Sequence, residues 1–368
     1  MVKDIISKNK DLFVKYGYPD KLEKLQAEYK SGEFTSEKNI IKGKITPPKK
    51  SDISKIPVKG SVEYNELKEI GEKVISNQEV GVAILNGGMA TRFGGCVKGI
   101  VEVYDNKSFL ELKIENIKSI SNKYGVKIPI FLMNSFQTEQ STKDFLIKNN
   151  NFKYNDIFCF NQFISIRLNK KGDVFSSNSS AFYGPGHGDF KYAFVNSGLL
   201  DKFIENGGKY IFFCYCDNLG ATLDPVVIGF HIKSQNEMTI EVAEKVLGDK
   251  GGAPAFVDGK LQIVEGFKFP KDFNQDLIPV FNTNTIIFNA ESLKKEIELD
   301  WYISIKQVNG IDVVQFERLV HEMSIHLMTG FVTVSRDGVN SRFVPIKIKE
   351  DLEKSKNQIK EIMRKRNE

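Results

Sequence analysis

The run Val82-Ala83-Ile84-Leu85-Asn86-Gly87-Gly88-Met89-Ala90-Thr91-Arg92-Phe93-Gly94-Gly95-Cys96-Val97-Lys98-Gly99 leads from an apolar stretch into a glycine-rich loop with an arginine and a lysine. Those residue types in that order suit a polyphosphate. Paired glycines let backbone N–H groups approach an anion with no Cβ in the way. Arg92 supplies a planar fixed charge and Lys98 a mobile point charge. No Gly-Lys-Ser/Thr closes the loop, so it is not a P-loop. The Gly-x-Gly-x-x-Gly spacing of dinucleotide enzymes is also absent, which argues against a nicotinamide dehydrogenase. The plainer alternative is a tight strand–helix connection.

Further polar segments fall at or beyond the C-terminal ends of predicted strands, where open α/β sheets bind ligands. Tyr183-Gly184-Pro185-Gly186-His187-Gly188-Asp189 is rich enough in glycine to wrap a ligand, with His187 as donor; a Pro-Gly turn capped by Asp189 is the alternative. Asp217 and Asn218 follow a long apolar run. A carboxylate there is costly unless solvated, capping or metal-bound, and Asp217 is well placed to hold Mg²⁺ against phosphate oxygens. Lys250-Gly251-Gly252, followed by Glu265, suits a sugar: backbone donors and a carboxylate acceptor read hydroxyls. Asn282 and Asn284 alternate within an apolar strand, which puts both amides on one face.

Arg342 and Lys347 bracket a short apolar strand, and Lys347 could reach a phosphate across a cleft. Met133 and Gln162 end two other strands and suit the floor and edge of a base pocket. His231, His321 and His326 have no partner at metal spacing and read as ordinary helix residues. No Gly-x-Ser-x-Gly, His-Glu-x-x-His or cysteine–histidine nucleophile occurs.

Strand–helix alternation must position these groups. Strands are expected at 80–85, 128–133, 157–160 and 209–216, with helices at 61–77, 109–123, 138–148, 191–205 and 225–234. That order implies an open, mostly parallel sheet covered by helices on both faces. Residues 1–60 read as an arm with a helix near 20–30. Residues 61–348 form the catalytic domain, with an antiparallel insertion at about 237–290. A helix is expected at 315–328, a strand at 331–335, and residues 349–368 form a C-terminal helix.

The chain has 368 residues, 27% of them charged, with 52 basic against 47 acidic side chains and a net charge of +5. That balance does not favour nucleic-acid binding as the main role. No apolar run reaches membrane-spanning length, and Met1–Asp20 lacks a signal-peptide core, so the expected location is cytoplasmic. The spacing of Cys96, Cys159, Cys214 and Cys216 fits neither a zinc nor a redox pair.

Taken in order, Leu85-Asn86-Gly87-Gly88, Met133-Asn134-Ser135, Phe160-Asn161-Gln162, Pro185-Gly186-His187-Gly188-Asp189, Asp217-Asn218-Leu219-Gly220, Lys250-Gly251-Gly252, Phe281-Asn282-Thr283-Asn284 and Ser341-Arg342-Phe343-Val344-Pro345-Ile346-Lys347 make a chain that resembles the UDP-glucose pyrophosphorylase family over about 62–355. The resemblance implies a Rossmann-like (GT-A-like) nucleotidyltransferase fold and the reaction UTP + glucose 1-phosphate ⇌ UDP-glucose + pyrophosphate, with Mg²⁺. It puts Leu85, Asn86, Gly87, Gly88, Met133, Gln162 and Gly186 at the nucleotide. Arg92 and Lys98 hold UTP phosphates, and Lys347 acts with His187 on the sugar phosphate. Asp217 binds the metal. Asn218, Gly252, Glu265, Asn282 and Asn284 complete the substrate site. Where the family has Ile-Ala after the glutamate, this chain has Gly266-Phe267, which leaves N-acetylglucosamine or galactose 1-phosphate as alternative substrates. A non-catalytic nucleotide-sugar sensor is the alternative outside enzymes. The chain ends soon after Lys347, without the family's common C-terminal β-helix, so a monomer is expected.

Overall fold

A computed structural model describes residues 2–90, 93–149, 156–246, 249, 251–346 and 348–367. Its centre is an eight-stranded sheet. In chain order the strands are β1 (Ser54–Lys55), β2 (Val80–Leu85), β3 (Ile130–Asn134), β4 (Ile157–Asn161), β5 (Tyr210–Tyr215), β6 (Met238–Glu244), β7 (Val280–Asn289) and β8 (Thr329–Thr333). They lie side by side as β1-β8-β6-β7-β5-β2-β3-β4. Only β7 runs against the others, pairing antiparallel with both β5 and β6.

The two faces of the sheet fill two cores. On β2, Val82 and Ile84 join one apolar cluster while Ala83 and Leu85 join the other; on β5, Phe212 and Phe213 divide in the same way. All six residues of β2 are buried, which explains its unbroken apolar run. Burying each of its Val, Ile and Leu side chains contributes about 1.5–3 kcal/mol. Helix Val62–Ser76 starts on Ser61, whose hydroxyl accepts the Tyr64 N–H at 3.1 Å. Helix Phe109–Tyr124 begins with a Ser108/Glu111 capping box and ends at Gly125, φ 66°.

Several expectations need correcting. Residues 1–60 are not an arm: helices Val2–Lys8, Lys10–Tyr16 and Leu22–Ser31 share a third core with Ile164, Ile166, Phe182 and Phe316. Ile45–Thr46 and Ser54–Lys55 pair into two different sheets. The insertion at about 237–290 is smaller than expected, because its first and last strands are β6 and β7 of the main sheet. Only the hairpin Ala253–Val257/Lys260–Val264, with Ile45–Thr46, forms a separate sheet. An antiparallel strand inside a parallel sheet carries no periodicity signal of its own. The helix expected at 191–205 is two, Asp189–Asn196 and Leu199–Glu205, broken by Gly198 at φ 70°. The helix expected at 315–328 is absent: Tyr302–Val308 and Ile311–Glu317 form a hairpin, followed by a 3₁₀ turn, Val320–Ile325. The overlooked signal is Asn309-Gly310, both at positive φ, a favoured two-residue hairpin turn. Lys349–Asn367 is helical, packs on helix Phe109–Tyr124 and buries Leu352, Ile359, Ile362 and Met363 in the first core. No helix among the described residues is long and apolar enough to cross a membrane.

Candidate active site

The C-terminal ends of β4, β3, β2 and β5 stand side by side and are tied together just beyond the ladder. Asn86 N–H donates to Met133 O at 2.8 Å, Gln162 N–H to Asn134 O at 2.9 Å, and Cys216 N–H to Leu85 O at 3.2 Å. Above them opens a cleft of about 440 Å³, lined by Leu85, Asn86, Gly87, Gly88, Met89, Lys98, Gly99, Met133, Gln162, Gly184, Gly186, His187, Tyr215, Cys216 and Asp217. The structure thus gathers every described residue of the expected nucleotide set around one hollow.

Glycines make the hollow possible. A Cβ at Gly184 would fall 1.9 Å from the Gln162 amide nitrogen, so the Gln162 side chain occupies the place a larger residue would take. A Cβ at Gly99 would fall 2.0 Å from Asn86 Oδ1. The Asn86 amide donates to Asn134 Oδ1 and Thr142 Oγ1, both at 2.9 Å, so this side chain braces the strand exits. Gly186 has φ 86° and rides so close over Arg318 O that a Cβ would sit 2.6 Å from it.

Charge enters the cleft from two elements. Lys98, on a 3₁₀ turn, pairs with Asp217 at the exit of β5. His187 sits opposite, its ring edge-on to Tyr215 at 6.0 Å between centroids. Val320 N–H donates to His187 Nδ1 at 3.0 Å. A backbone N–H can only donate, so Nδ1 is the acceptor and the ring proton sits on Nε2. Burial pushes the His187 pKa down to about 4, which keeps the ring neutral. Tyr215 was not foreseen as a cleft residue, although its place directly before Cys216-Asp217 was a signal. Burial, then Asp217, hold its phenol well above the ordinary range.

Beyond His187 lies a second cluster. His321 packs against His187, ring centroids 5.6 Å apart, and its Nε2 is 3.8 Å from Glu265 Oε1. A Cβ on Gly252 would be 3.3 Å from that same Glu265 oxygen. Asn282 N–H donates to Gly252 O at 2.7 Å, and the Asn282 side-chain amide donates to Asn284 Oδ1 at 2.9 Å. Gly252, Glu265, Asn282 and Asn284 therefore meet, as the sugar set requires. Being antiparallel, β7 brings its first residues to the edge where the other strands end. The two asparagines face each other through a register shift opposite Ile240/Val242, with Asn284 at φ 57°, rather than through regular alternation. Burial raises the Glu265 pKa above the usual carboxylate value.

Three expectations change in role. Asn218 is committed to its own neighbourhood, donating to Arg342 O at 3.1 Å and accepting from Val344 N–H at 3.0 Å. It pins the 342–344 segment rather than presenting its amide to a substrate. Arg342 is no cleft cation: it is buried and held by Glu241 at both oxygens and by Thr222 O at 2.9 Å. Buried charge demands such a partner, and nothing local in the sequence announced Glu241, 101 residues away. His321 is not an ordinary helix residue but is fully buried beside His187 with both ring nitrogens lacking a hydrogen-bond partner. Each unsatisfied buried group costs about 1–3 kcal/mol. Arg92 and Lys347 lie outside the described residues, as does Lys250. Cys214 and Cys216 are buried, whereas Cys96 and Cys159 are exposed; all are free.

Among the described residues no group of three or more His, Cys, Asp or Glu side chains could hold a metal. Mg²⁺ needs less, because it binds through one or two carboxylates with substrate phosphates and water. Among the described residues that line the cleft Asp217 is the single carboxylate, and that donor set fits an ion carried in with a phosphate.

An open α/β sheet whose strand ends enclose a glycine-lined cleft, with a cluster of polar side chains alongside, is the fold class of the nucleotidyltransferases. Residues 24–365 match the family model described as UTP–glucose-1-phosphate uridylyltransferase, and the chain belongs to that family. It is 32% identical over 335 residues to UTP–glucose-1-phosphate uridylyltransferase 2 of Dictyostelium discoideum, covering 84% of this chain and 63% of that one. The chain thus spans under two thirds of the length of this relative. A solved UDP-glucose phosphorylase from Trypanosoma brucei superposes with a TM-score of 0.77 at 25% identity, covering 93% of this chain and 76% of the other. A variant UDP-glucose pyrophosphorylase from Leishmania major, solved with UDP-glucose, shares the fold at a TM-score of 0.74 and 22% identity, covering 95% and 78%.

Proposed function

We propose that this chain is a UTP–sugar-1-phosphate uridylyltransferase that makes UDP-glucose and pyrophosphate from UTP and glucose 1-phosphate. The observation that carries the reading is the meeting of Lys98, Asp217 and His187 on one glycine-lined cleft, next to the Glu265–Asn282–Asn284 cluster. In this reading uracil lies against Met133 and Gln162. A phosphate oxygen of the sugar ester attacks the α-phosphorus of UTP in line. A new P–O bond forms, the α–β P–O bond breaks, and pyrophosphate leaves with that electron pair. No protein nucleophile is required, so catalysis is positioning and charge neutralisation.

Lys98 meets developing charge on the triphosphate. His187 offers its Nε2–H to the sugar phosphate, a role suited to a ring held neutral with a fixed tautomer. Arg92 and Lys347 would add cationic charge from either side. Asp217 would hold Mg²⁺ shared with the UTP phosphates, and the ion would screen their charge when bound. The exposed free thiols Cys96 and Cys159 suit the cytoplasm.

Pyrophosphate release with UTP and each of glucose, N-acetylglucosamine and galactose 1-phosphate tests the proposal. Turnover with glucose 1-phosphate, and loss of it on chelating Mg²⁺, is the expected result; no turnover with any of the three sinks it. A bulkier sugar is the second reading, because Gly266-Phe267 follows Glu265 where the family has Ile-Ala. Preferential turnover of N-acetylglucosamine 1-phosphate would decide for that reading.

A further inference from the structure

The 3₁₀ turn Val320–Ile325 is pinned at alternate residues. Val320 N–H holds His187, Glu322 is bonded to Lys268 and Tyr302 at 2.8 and 2.6 Å, and Ser324 Oγ accepts the Ile263 N–H at 3.1 Å. Only His321, in the middle, has no hydrogen-bond partner for its polar atoms, although it is fully buried. Its Nε2 points to within 3.8 Å of Glu265 Oε1, just beyond hydrogen-bond reach. A rigid turn therefore holds an unsatisfied imidazole beside the carboxylate that the proposed function assigns to the sugar.

We propose that His321 is a positioning residue of the sugar subsite, donating Nε2–H to Glu265 when a sugar phosphate is bound and so aiming that carboxylate at the ring hydroxyls. Burial, then His187 and Lys268, keep His321 neutral, so it has one donor to give and one acceptor left for a hydroxyl. A neutral donor lets Glu265 stay an acceptor for the sugar, where a cation at that point would compete for it. His321 touches His187 and approaches Glu265 but is not among the residues that line the cleft with Lys98 and the glycine loop, which makes the role one of sugar recognition. This inference rests on the uridylyltransferase reading.

The test uses the whole chain with His321→Leu, which removes the ring nitrogens at similar volume, and His321→Gln, which retains an amide donor. Affinities for UDP and for UDP-glucose are measured by calorimetry, together with the thermal midpoint. The Leu variant is expected to bind UDP-glucose about tenfold more weakly, a change of one decade in Kd. It should bind UDP as before and be at least as stable, because an unpaired buried polar group has been removed. The Gln variant should recover most of the loss. In a Glu265→Gln background the Leu change should add little, since the two act through one contact. The proposal is overturned if the Leu variant keeps the native preference for UDP-glucose over UDP, if both ligands weaken together, or if Gln behaves like Leu. If the unaltered protein shows no preference for UDP-glucose, UDP-N-acetylglucosamine or UDP-galactose over UDP, the sugar-subsite reading itself falls and this inference with it.

Discussion

The two halves of the cleft are built from different materials. The half proposed to hold the nucleotide is mostly main chain: glycines, strand ends and one braced amide, with Lys98 and Asp217 as its charged pair. The half proposed to hold the sugar is mostly buried side chain, with His187, His321, Glu265, Lys268, Glu322 and Tyr302 in or behind it. Backbone suits a phosphate chain, whose charge is read by any well-placed N–H. Distinguishing one hydroxyl pattern from another takes side chains held at fixed angles, and that requires buried polar networks. The first half should therefore fail locally when a glycine or a charge is changed, the second through stability and protonation.

The largest effect is expected beneath the sugar half. Glu241→Gln leaves buried Arg342 with only the more distant Asp224 carboxylate, at 3.4 Å, as a charge partner, which should cost up to about 3–5 kcal/mol of stability. Urea denaturation at pH 7 measures it, and a midpoint close to that of the unaltered chain would show that Arg342 finds another counter-ion. In the nucleotide half, Lys98→Met should cost rate, about 10²–10³ in kcat, with little change in melting temperature. Steady-state pyrophosphate release checks this; an unchanged kcat removes Lys98 from the charge-stabilising role.

Acid should separate the halves next. His187 and His231 are each pushed down to about 4, the first by burial and the second by burial against its hydrogen bond to Asn289 Oδ1, and His321 is lowered further. The unfolded chain takes up these protons first, so stability is full above about pH 6.5 and declines toward pH 4. Each such histidine adds a slope of up to about 1.4 kcal/mol per pH unit. Glu139 works in a lower window: burial raises it, but hydrogen bonds from Lys143, Lys15 and Tyr16 prevail and carry it to about 2. Its contribution is present above about pH 4.5 and fades below. Denaturation at pH 7, 6 and 5 should show a progressive loss that His231→Gln makes shallower; a flat profile would falsify the neutral buried state of these rings. The smallest effect is Gly184→Ala, which must displace the Gln162 amide and should raise the UTP KM about tenfold while leaving the sugar-phosphate KM alone. A parallel rise in both would show that the two halves are less separate than their construction suggests.

The sequence by itself determined most of the nucleotide half. A buried parallel strand is apolar throughout, its exit is polar and glycine-rich, and both signals are local. Leu85 to Gly88, Met133, Gln162 and Asp217 could therefore be placed before any coordinates. The tertiary structure alone decided which polar residues turn inward. Asn218 and Arg342 are claimed by partners more than 100 residues away, β7 reverses direction within the sheet, and the 3₁₀ turn carries His321 to Glu265 across 56 positions of chain. Those outcomes depend on which elements pack together, and a residue's own neighbours in sequence hold no record of a contact made through the core.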